Sequence, residues 1–524
     1  MSKYLVRVEA INLSAVLDDT NDISTRRGAG LHLLNAAQDC AQCGTALSTG
    51  ASAALLRVED GTKIDDVLEC LRSKFTVDGN EHFTFAVAAV EEEADGFARA
   101  EAGTIAAVRW QQMQSLSFAL PALQTSPDNA VNAIAVCEFD GVRPAHCDEP
   151  LPNGKTKRVS SSVAFRRRLG REQRQQLYRS EMGHLKDAKD EEKVASVQGL
   201  KFTQDLQALS DPGQDIKAGV LKDKIAVIYL DGNRFGAIGA ESAKRDCLQQ
   251  WDEELKNKRR HLLLDLLKTT TDPRWKTTDN KIRLETLLWG GDEVLFVVPA
   301  WLGWPVVDFL LNQTADWTFE LPKSNDDPAQ TKDLRHAYGL VFCHSKAPIQ
   351  RVAKLAKDLA EYGKTDDYRK HNTVTWTALE SFDHLGLALD DTIKRRYGGH
   401  ATWCNWVLKA EQIMTLQRDF VIVKDLLPRS QIVAAAIAGA RDGDERFGAA
   451  HKDERFVAAH KRAWAQSGSA VALDTNSCAA WKNIWDSLTE CHPEDISKQR
   501  LAWIQLAEIW DYAGLDPLPT ASQS

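Results

Sequence analysis

Residues 284–298 read LETLLW-GGDE-VLFVV, in which the apolar runs Leu284–Trp289 and Val294–Val298 flank the tetrad Gly290-Gly291-Asp292-Glu293. A glycine pair followed by two acids between strand-forming runs predicts a tight β-hairpin with carboxylates at its tip. Glycines allow a sharp turn and a close approach to a ligand, and carboxylate oxygens suit Mg²⁺ shared with substrate phosphates. An ordinary hairpin turn explains the same four residues about equally well, because Gly and Asp are common turn residues.

A second acidic strand end lies upstream of the tetrad. The segment Lys224–Gly236, KIAVIYLDGNRFG, contains the apolar strand run Ile225–Leu230 and then the turn Asp231-Gly232-Asn233. Two-metal nucleotidyl transfer requires an acid at one strand end and acids on a following hairpin, because shared carboxylates hold both divalent ions.

The order of the surrounding elements matches such a site. Helical spacing is predicted over residues 244–270, 304–315 and 349–362, and strands over 336–343 and 373–378. Together with the strand before Asp231 and the hairpin, this is a βαββαβ palm. It places Asp231 and Asp292 at adjacent strand ends.

The N-terminal region repeats this order. It comprises a strand at 5–11, the sequence RRGAG at 26–30, a helix at 31–38, a hairpin tip at 48–50, a helix at 64–75 and a strand at 82–90. Glu9 is the counterpart of Asp231, but the tip Ser48–Gly50 carries no acid. The fold class is therefore α+β, with two ferredoxin-like palms of which the first is degenerate. The alternative is that two ordinary domains share a common superfold, which implies no function.

Three motifs together resemble a known family. YLDGNRFG (229–236), GGDE (290–293) and YGLVFCHSKAPI (338–349) are similar to the palm of the type III CRISPR large-subunit proteins, and more broadly to the GGDEF and class III cyclase palms. The usual CRISPR tetrad ends in two aspartates, whereas Glu293 stands here, as in diguanylate cyclases. The inhibitory Arg-x-x-Asp motif of diguanylate cyclases is absent, since Lys281 and Leu284 occupy its places.

The resemblance implies a division into four parts. Residues 1–120 form the degenerate first palm, and residues 121–215 form an inter-palm segment. Residues 216–392 form the catalytic palm, and residues 393–524 form a helical C-terminal domain. The length of 524 residues supports roughly three or four domains.

The resemblance also implies a set of site residues. Asp231 and Asp292 would bind the metals, Mg²⁺ or Mn²⁺, with Glu293 as a third acid that coordinates or orients. The backbone carbonyl of Gly232 would complete the coordination. The remaining candidates for binding the nucleotide are Asn233, Gly290, Gly291, Lys346 and Lys364, although a surface position is at least as good an explanation for either lysine.

The inter-palm region of this family commonly contains a cysteine-rich zinc site, and four cysteines of this chain are candidates for one. Cys40 and Cys43 have C-x₂-C spacing, which is the usual first half of a tetrahedral site, but Cys137 and Cys147 do not. Separate reduced thiols are therefore the favoured prediction for the ten cysteines of this long chain.

An arginine-rich run follows in the same segment, and it has two explanations. The side chains could contact RNA phosphates, or they could form a charged helix face, which is the commoner case. The arginines are Arg166, Arg167, Arg168, Arg171, Arg174 and Arg179.

Composition narrows the class of protein. A net charge of −9 argues against indiscriminate nucleic-acid binding. The sequence has no long apolar run and no basic-then-apolar start, so a cytoplasmic location is expected. It also lacks a GxxxxGK[ST] phosphate loop, a GxSxG elbow and the His-Asp doublet of a fused nuclease.

These observations predict a pyrophosphate-releasing nucleotidyltransferase. It would be a nucleotide cyclase or cyclic oligonucleotide synthase in antiviral signalling, with ATP as the first substrate to test. The expected partners are RNA or CRISPR-like subunits and a downstream nucleotide-sensing effector, with no membrane involvement. The alternative is a non-catalytic scaffold of a guide-RNA complex.

Overall fold

The protein is represented by a computed structural model that describes residues 3–59, 61–93, 96–115, 135–151, 154–185, 194–214, 216–324, 327–365, 367–380, 389–397, 403–426, 428–442, 461–462, 475–489 and 496–519. Parts of the predicted inter-palm segment and of the C-terminal domain lie outside these residues. Within them, no helix is long and apolar enough to cross a membrane.

The N-terminal part is built on a four-stranded antiparallel sheet, the N-terminal sheet, with strand order β2-β3-β1-β4. Successive side chains of a strand point to opposite faces. Val6 therefore packs toward the helix at 64–74, whereas Leu5 packs toward the helix at 97–114. The elements are β1 Lys3–Ile11, α1 Ser14–Leu17, α2 Ile23–Asp39, β2 Thr45–Thr49, β3 Ala53–Val58, α3 Ile64–Lys74, β4 Thr84–Glu92 and α4 Phe97–Gln114.

Helix α2 begins earlier than the sequence predicts. Asp22 caps its N-terminus by accepting a hydrogen bond from the amide of Thr25 at 2.9 Å. The sequence RRGAG consequently lies inside the helix instead of before it. Gly28 is required there, because a Cβ at this position would lie 1.8 Å from the carbonyl oxygen of Arg166.

The central part is built on a six-stranded sheet, the central sheet, with strand order β14-β13-β12-β7-β9-β8. Strand β7 pairs antiparallel with both β9 and β12, and β13 runs parallel to β12. The strands β8-β9-β7-β12 repeat the order β2-β3-β1-β4 of the N-terminal sheet. The six strands are β7 Lys224–Gly232, β8 Glu285–Gly290, β9 Glu293–Pro299, β12 His336–His344, β13 Thr373–Ala378 and β14 Val407–Lys409.

The helices of the central part are α8 Phe235–Lys244, α9 Leu248–Lys268, α10 Gly303–Thr314 and α11 Ile349–Tyr362. The predictions for α11 and for strand β13 are confirmed at both ends. The helix predicted over 244–270 is confirmed for residues 248–268, and it begins later than predicted because Asp246, with φ +56, separates it from α8. A small hairpin, β10 Thr318–Leu321 and β11 Gln330–Asp333, was also not predicted.

The segment between the two sheets contains the hairpin β5 Cys147–Pro150 and β6 Thr156–Val159, followed by α5 Ser161–Glu172, α6 Gln176–Gly183 and α7 Leu206–Ser210. Helix α5 packs directly on α2 through two glycines. A Cβ on Gly170 would lie 2.0 Å from the carbonyl oxygen of Ser24, so the two helix backbones are in contact.

Half of the arginine-rich run is buried and therefore unavailable to RNA. Arg166, Arg167 and Arg174 are 0%, 4% and 4% exposed. Arg166 donates to Asp19 at 2.8 Å, and Arg167 donates to Glu149 at 2.9 Å. Both the RNA-contact and the solvated-face explanations are therefore wrong for these three residues, which join elements of the fold. Arg168, Arg171 and Arg179 are exposed.

Glu285, at the start of β8, is a buried acid at which three parts of the chain meet. Arg27 of α2 donates to it from two nitrogens, at 2.6 and 2.5 Å, and Arg174 donates to it at 2.7 Å. Glu285 is 2% exposed, and Arg27 also donates to the carbonyl of Gly170 at 2.7 Å. One carboxylate thereby binds the N-terminal sheet, the connecting segment and the central sheet.

The described C-terminal residues are mostly helical, as predicted. They form α12 Leu389–Tyr397, α13 Ala410–Leu426, α14 Arg429–Asp442, α15 Thr475–Leu488 and α16 Ile496–Ile509. Trp503 packs against Trp481 and Trp485, with ring centroids 5.7 and 5.1 Å away. Strand β14 extends the central sheet past residue 392, where the helical domain was predicted to begin.

Glu285→Gln is expected to destabilise the protein strongly. The variant leaves Arg27 and Arg174 buried without a neutralising charge, a situation that costs about 3–5 kcal/mol in comparable buried pairs. Denaturation followed by circular dichroism measures the effect. The matched control is Glu320→Gln, an exposed acid that accepts a hydrogen bond from Thr331 at 3.0 Å. Equal midpoints for the two variants would contradict the role of Glu285.

Candidate functional site

Three acids lie together at one end of the central sheet. Leu230 pairs with Val294, so the next residue of β7, Asp231, lies beside Glu293 of β9. Gly290 pairs with Glu293, which leaves Gly291 and Asp292 as a two-residue turn. Gly291 has φ +57, the left-handed conformation that such turns need and that glycine adopts without strain.

Tyr229 connects two of these acids. It lies two residues before Asp231 on the same strand and therefore on the same face of the sheet. Its hydroxyl is 3.1 Å from Oδ2 of Asp231 and 2.6 Å from Oε1 of Glu293. A hydroxyl carries one proton, so Tyr229 can donate to only one carboxylate at a time.

Two lysines face the same acids. Lys357 of α11 donates to Glu293 at 2.7 Å, and Lys364, just beyond the end of α11, donates to Asp231. Lys364 also donates to Glu361 at 2.8 Å. Internal ammonium groups thus neutralise part of the acidic charge in this structure.

The three carboxyl groups titrate differently. Burial, together with the charge of Asp231, raises the pKa of Asp292 to about 6. Burial also raises the pKa of Asp231, against the opposing effect of Lys364. Burial acts the same way on Glu293, but hydrogen bonds from Lys357 and Tyr229 outweigh it and hold the pKa of that carboxyl below its usual value. Asp292 is consequently the acid whose charge is least compensated.

The donor chemistry suits a hard divalent cation shared with a ligand. Among the described residues, no group of three or more His, Cys, Asp or Glu side chains is arranged to enclose a metal ion. Mg²⁺ does not need such a cage, because it is usually held by one or two carboxylates together with water and substrate phosphates. Asp231 and Asp292, which interact electrostatically, fit that pattern.

A cavity of about 280 Å³ opens beside Glu293, between the N-terminal and central parts of the protein. The central part contributes Tyr229, Glu293 and Lys357 to its wall, and the N-terminal part contributes Asp18 and Arg26. Arg26 donates to Asp18 at 2.6 Å. The wall is mainly apolar elsewhere, so the cavity combines a hydrophobic lining with a charged rim, as small-molecule sites do.

The structure separates two predicted residues from this site. Asn233 is buried and donates its amide to the carbonyls of Arg369 and His371, at 3.2 and 3.4 Å, so it holds a loop. Lys346 follows His344, which pairs with Lys224 at the far end of β7. At about 3.3 Å per residue, Lys346 lies roughly 25 Å from Asp231. Because β12 runs antiparallel to β7, its C-terminal end cannot reach the acids.

The predicted glycines serve packing as well as the turn. A Cβ on Gly290 would lie 2.4 Å from the Cα of Ala51, so Gly290 allows the hairpin to touch the N-terminal sheet. A Cβ on Gly232 would lie 2.4 Å from the ring of Phe235. Neither contact could be predicted from the sequence. Ala51 is far from Gly290 along the chain, and the contact at Gly232 depends on how the side chain of Phe235 is oriented.

The N-terminal sheet has no comparable group of acids. Glu9, the predicted counterpart of Asp231, contacts Arg7 at 3.2 Å and Arg109 at 2.8 Å. One carboxylate between two guanidinium groups is a structural ion pair. Glu9 therefore lies in a different setting from Asp231, which stands beside two other acids.

The four cysteines proposed for zinc are not brought together. Cys43 forms a disulfide with Cys70, which also corrects the prediction that the thiols are all reduced. Cys40 is buried in the core of the N-terminal sheet, whereas Cys137 and Cys147 pack near Val159 in the connecting segment. The linear spacing was misleading because each pair belongs to a different core.

Sequence reasoning missed three residues of the site. Tyr229 could have been found from the two-residue period of β7, and Lys357 from its spacing of seven residues from Lys364, which is about two helical turns. Arg259 of α9 donates to the carbonyl of Gly291, and it had no signal in the sequence.

Asp292→Asn is expected to stabilise the metal-free protein at neutral pH. The pKa of this carboxyl is about 4 in the unfolded chain and about 6 in the folded protein. As pH rises through that interval, ionisation of Asp292 therefore destabilises the wild-type folded state. The gain in Tm should therefore be full above about pH 6 and should shrink as pH falls toward 4. Thermal melts in chelator measure it, with exposed Asp316→Asn as control. A gain that does not change with pH would contradict the assignment.

Lys364→Met is expected to reduce the free energy of unfolding of the metal-free protein by about 1–3 kcal/mol, and so to lower its Tm, because buried Asp231 loses its charged partner. Added Mn²⁺ should restore more stability to this variant than to the wild type, since the lysine no longer competes for the carboxylate. The matched control is Lys354→Met, which removes an exposed lysine paired with Asp358 on the same helix. Identical behaviour of the two variants would show that Lys364 does not act as an internal counter-ion.

Comparisons with known proteins show the fold. No protein-family model matches the chain, and no curated protein matches it in sequence. The crystal structure of Csm1 in T. onnurineus is similar, with a TM-score of 0.50 and 12% identity over 96% of this chain and 70% of that one. A Csm1–Csm4 cassette in complex with cA4 gives a TM-score of 0.42 at 10% identity, over 96% and 70% of the two chains. The apo cassette gives 0.38 at 12% identity, over 73% and 55%. The chain therefore has a mixed α+β fold like that of Csm1.

Proposed function

We propose that this protein is a nucleotidyl cyclase or cyclic oligonucleotide synthase similar to the type III CRISPR large subunits. The central part, residues 216–392, is the catalytic palm, and the N-terminal part, residues 1–120, is its degenerate partner. The Csm1-like fold and the strand order common to the two sheets support two related ferredoxin-like palms.

One observation carries the proposal. Asp231, Asp292 and Glu293 converge at adjacent strand ends, and Glu293 also lines a cavity to which the N-terminal and central parts both contribute. The pKa of Asp292, raised to about 6 by burial and the neighbouring charge, supports the view that the charge of this acid is not fully compensated. A structural role would favour a neutral or fully paired arrangement, whereas a cation-binding role requires such excess charge.

The substrate would be a nucleoside triphosphate, with ATP the first to test. Its 3′-hydroxyl attacks an α-phosphate, the new phosphodiester forms, and pyrophosphate leaves. Mg²⁺ or Mn²⁺, when bound by Asp231, Asp292 and the carbonyl of Gly232, would supply positive charge to the phosphates. Glu293 keeps its pKa low and remains an anion that orients Tyr229 and Lys357.

The two lysines provide the charge that a triphosphate needs. Lys364 and Lys357 now bind Asp231 and Glu293. When a divalent cation neutralises the acids, their ammonium groups become available to phosphate oxygens at the edge of the cavity. The apolar wall of the same cavity can hold the nucleoside and exclude water.

The alternative function is a scaffold of a guide-RNA complex with CRISPR-like subunits. The ion pairs of Lys357 and Lys364 favour it, because they stabilise the palm without any metal. In either role the protein would act together with RNA or CRISPR-like subunits, and as a cyclase it would also act through a downstream nucleotide-sensing effector.

Asp231→Asn and Asp292→Asn should each abolish the consumption of ATP in the presence of Mg²⁺ or Mn²⁺, while both proteins remain folded. Each substitution removes a negative charge that would hold the metal ions, which in turn would stabilise the negative charge of the leaving pyrophosphate. Mass spectrometry of the products, with and without copurifying RNA or protein, is the measurement. The control is Glu9→Gln in the first palm, which should retain activity.

The outcomes separate the two functions. Cyclic products that both Asp variants lose support the cyclase. A linear polymer as the sole product would retain the palm but reject cyclisation. A wild-type protein that consumes no nucleoside triphosphate under any metal or partner condition would favour the scaffold.

A further inference from the structure

Arg259 holds the turn that carries Asp292. It lies on α9, is 5% exposed, and donates Nη1 to the carbonyl of Gly291. Its guanidinium lies 5.4 Å from the centroid of the Trp289 ring, which belongs to the strand that leads into the turn. One side chain thus contacts the hairpin on both sides of Gly290.

The same helix is attached to the N-terminal sheet. Asp252 accepts a hydrogen bond from the amide of Thr49 at 3.3 Å, and Lys256 donates to the hydroxyl of Thr49 at 2.5 Å. Residues 252, 256 and 259 are spaced four and three apart, so they lie along one face of the helix. The face that contacts Thr49 is therefore the face that contacts Gly291.

A second contact closes this connection. Ala51, two residues after Thr49, lies where a Cβ of Gly290 would be, with its Cα 2.4 Å from that point. The turn of the N-terminal sheet thus contacts the catalytic hairpin directly at Gly290 and indirectly through α9. These contacts leave little freedom for Asp292 to move relative to the N-terminal sheet.

We propose that Arg259 is a positioning residue for Asp292, and that the turn Thr49–Ala51 of the N-terminal sheet sets its place through α9. This proposal rests on the proposed function. Asp292 stands beside two other acids and is repelled by them. A two-residue turn that carries a repelled carboxylate needs an anchor to keep that carboxylate within reach of a shared cation.

Arg259 is expected to contribute more to the position of Asp292 than to the folding stability of the protein. Its Nε is buried and has no hydrogen-bond partner within the described residues. Burying the guanidinium costs desolvation free energy, which offsets much of the stability that its hydrogen bond to the carbonyl of Gly291 supplies. The contribution of Arg259 is therefore to geometry, and its removal should separate metal binding from folding stability.

The test is Mn²⁺ binding to the full chain, measured by electron paramagnetic resonance and calorimetry across a range of pH. Arg259→Met should keep a Tm close to that of the wild type but bind Mn²⁺ roughly 10–100-fold more weakly, as for other residues that orient a metal ligand. Arg259→Lys, which keeps a donor for the Gly291 carbonyl, should recover part of the affinity.

Arg283→Met is the matched control. Arg283 is also buried and lies 5.5 Å from the centroid of Trp301, but it donates to four backbone carbonyls, those of Lys276, Ala208, Leu209 and Asp211. It precedes the opposite end of β8, so its loss should lower Tm without weakening Mn²⁺ binding by the folded protein. Equal Mn²⁺ affinity for Arg259→Met and the wild type would overturn the proposal.

Thr49→Val tests the contribution of the N-terminal sheet. It removes the hydroxyl that Lys256 binds and should weaken Mn²⁺ binding with little change in Tm. Unchanged affinity would overturn the part of the proposal that concerns this sheet. A wild-type protein that binds no Mn²⁺ would instead reject the proposed function, so the two failures are distinguishable.

Discussion

The arrangement of the molecule depends on the buried carboxylate of Glu285. Arg27 and Arg174 approach it from two different parts of the chain and satisfy both of its oxygens. An ion pair so deeply buried contributes little net stability, but breaking it is costly. Its value is that only one arrangement of the three parts satisfies it. Since Glu285 begins the strand that ends at Gly290, this constraint also fixes the hairpin that carries the acids.

Close backbone contacts hold the same parts of the molecule together. Gly28 and Gly170 bring α2 and α5 together, and Gly290 brings the hairpin that carries the acids onto Ala51. Each contact excludes even a Cβ, so these contacts leave little room for alternative packing. The N-terminal part is thereby placed against the central part, and the cavity between them is a consequence of that placement.

Neighbouring lysines offset part of the electrostatic repulsion among the three acids. Lys364 and Lys357 compensate Asp231 and Glu293, while Asp292 keeps a pKa of about 6 through burial and the charge of Asp231. These ion pairs leave Asp292 as the acid whose charge is least compensated.

Local sequence determined the elements and the end of the sheet at which chemistry is expected. The helix at 349–362 follows from apolar residues at helical spacing, and the acidic turn follows from Gly291 between two strand runs. The antiparallel course of β12, which removes Lys346 from the site, and the contacts of Arg259 with Gly291 arose only in the tertiary structure. The physical reason is range: turns and helices depend on neighbouring residues, whereas buried ion pairs and backbone contacts depend on partners that no local pattern identifies.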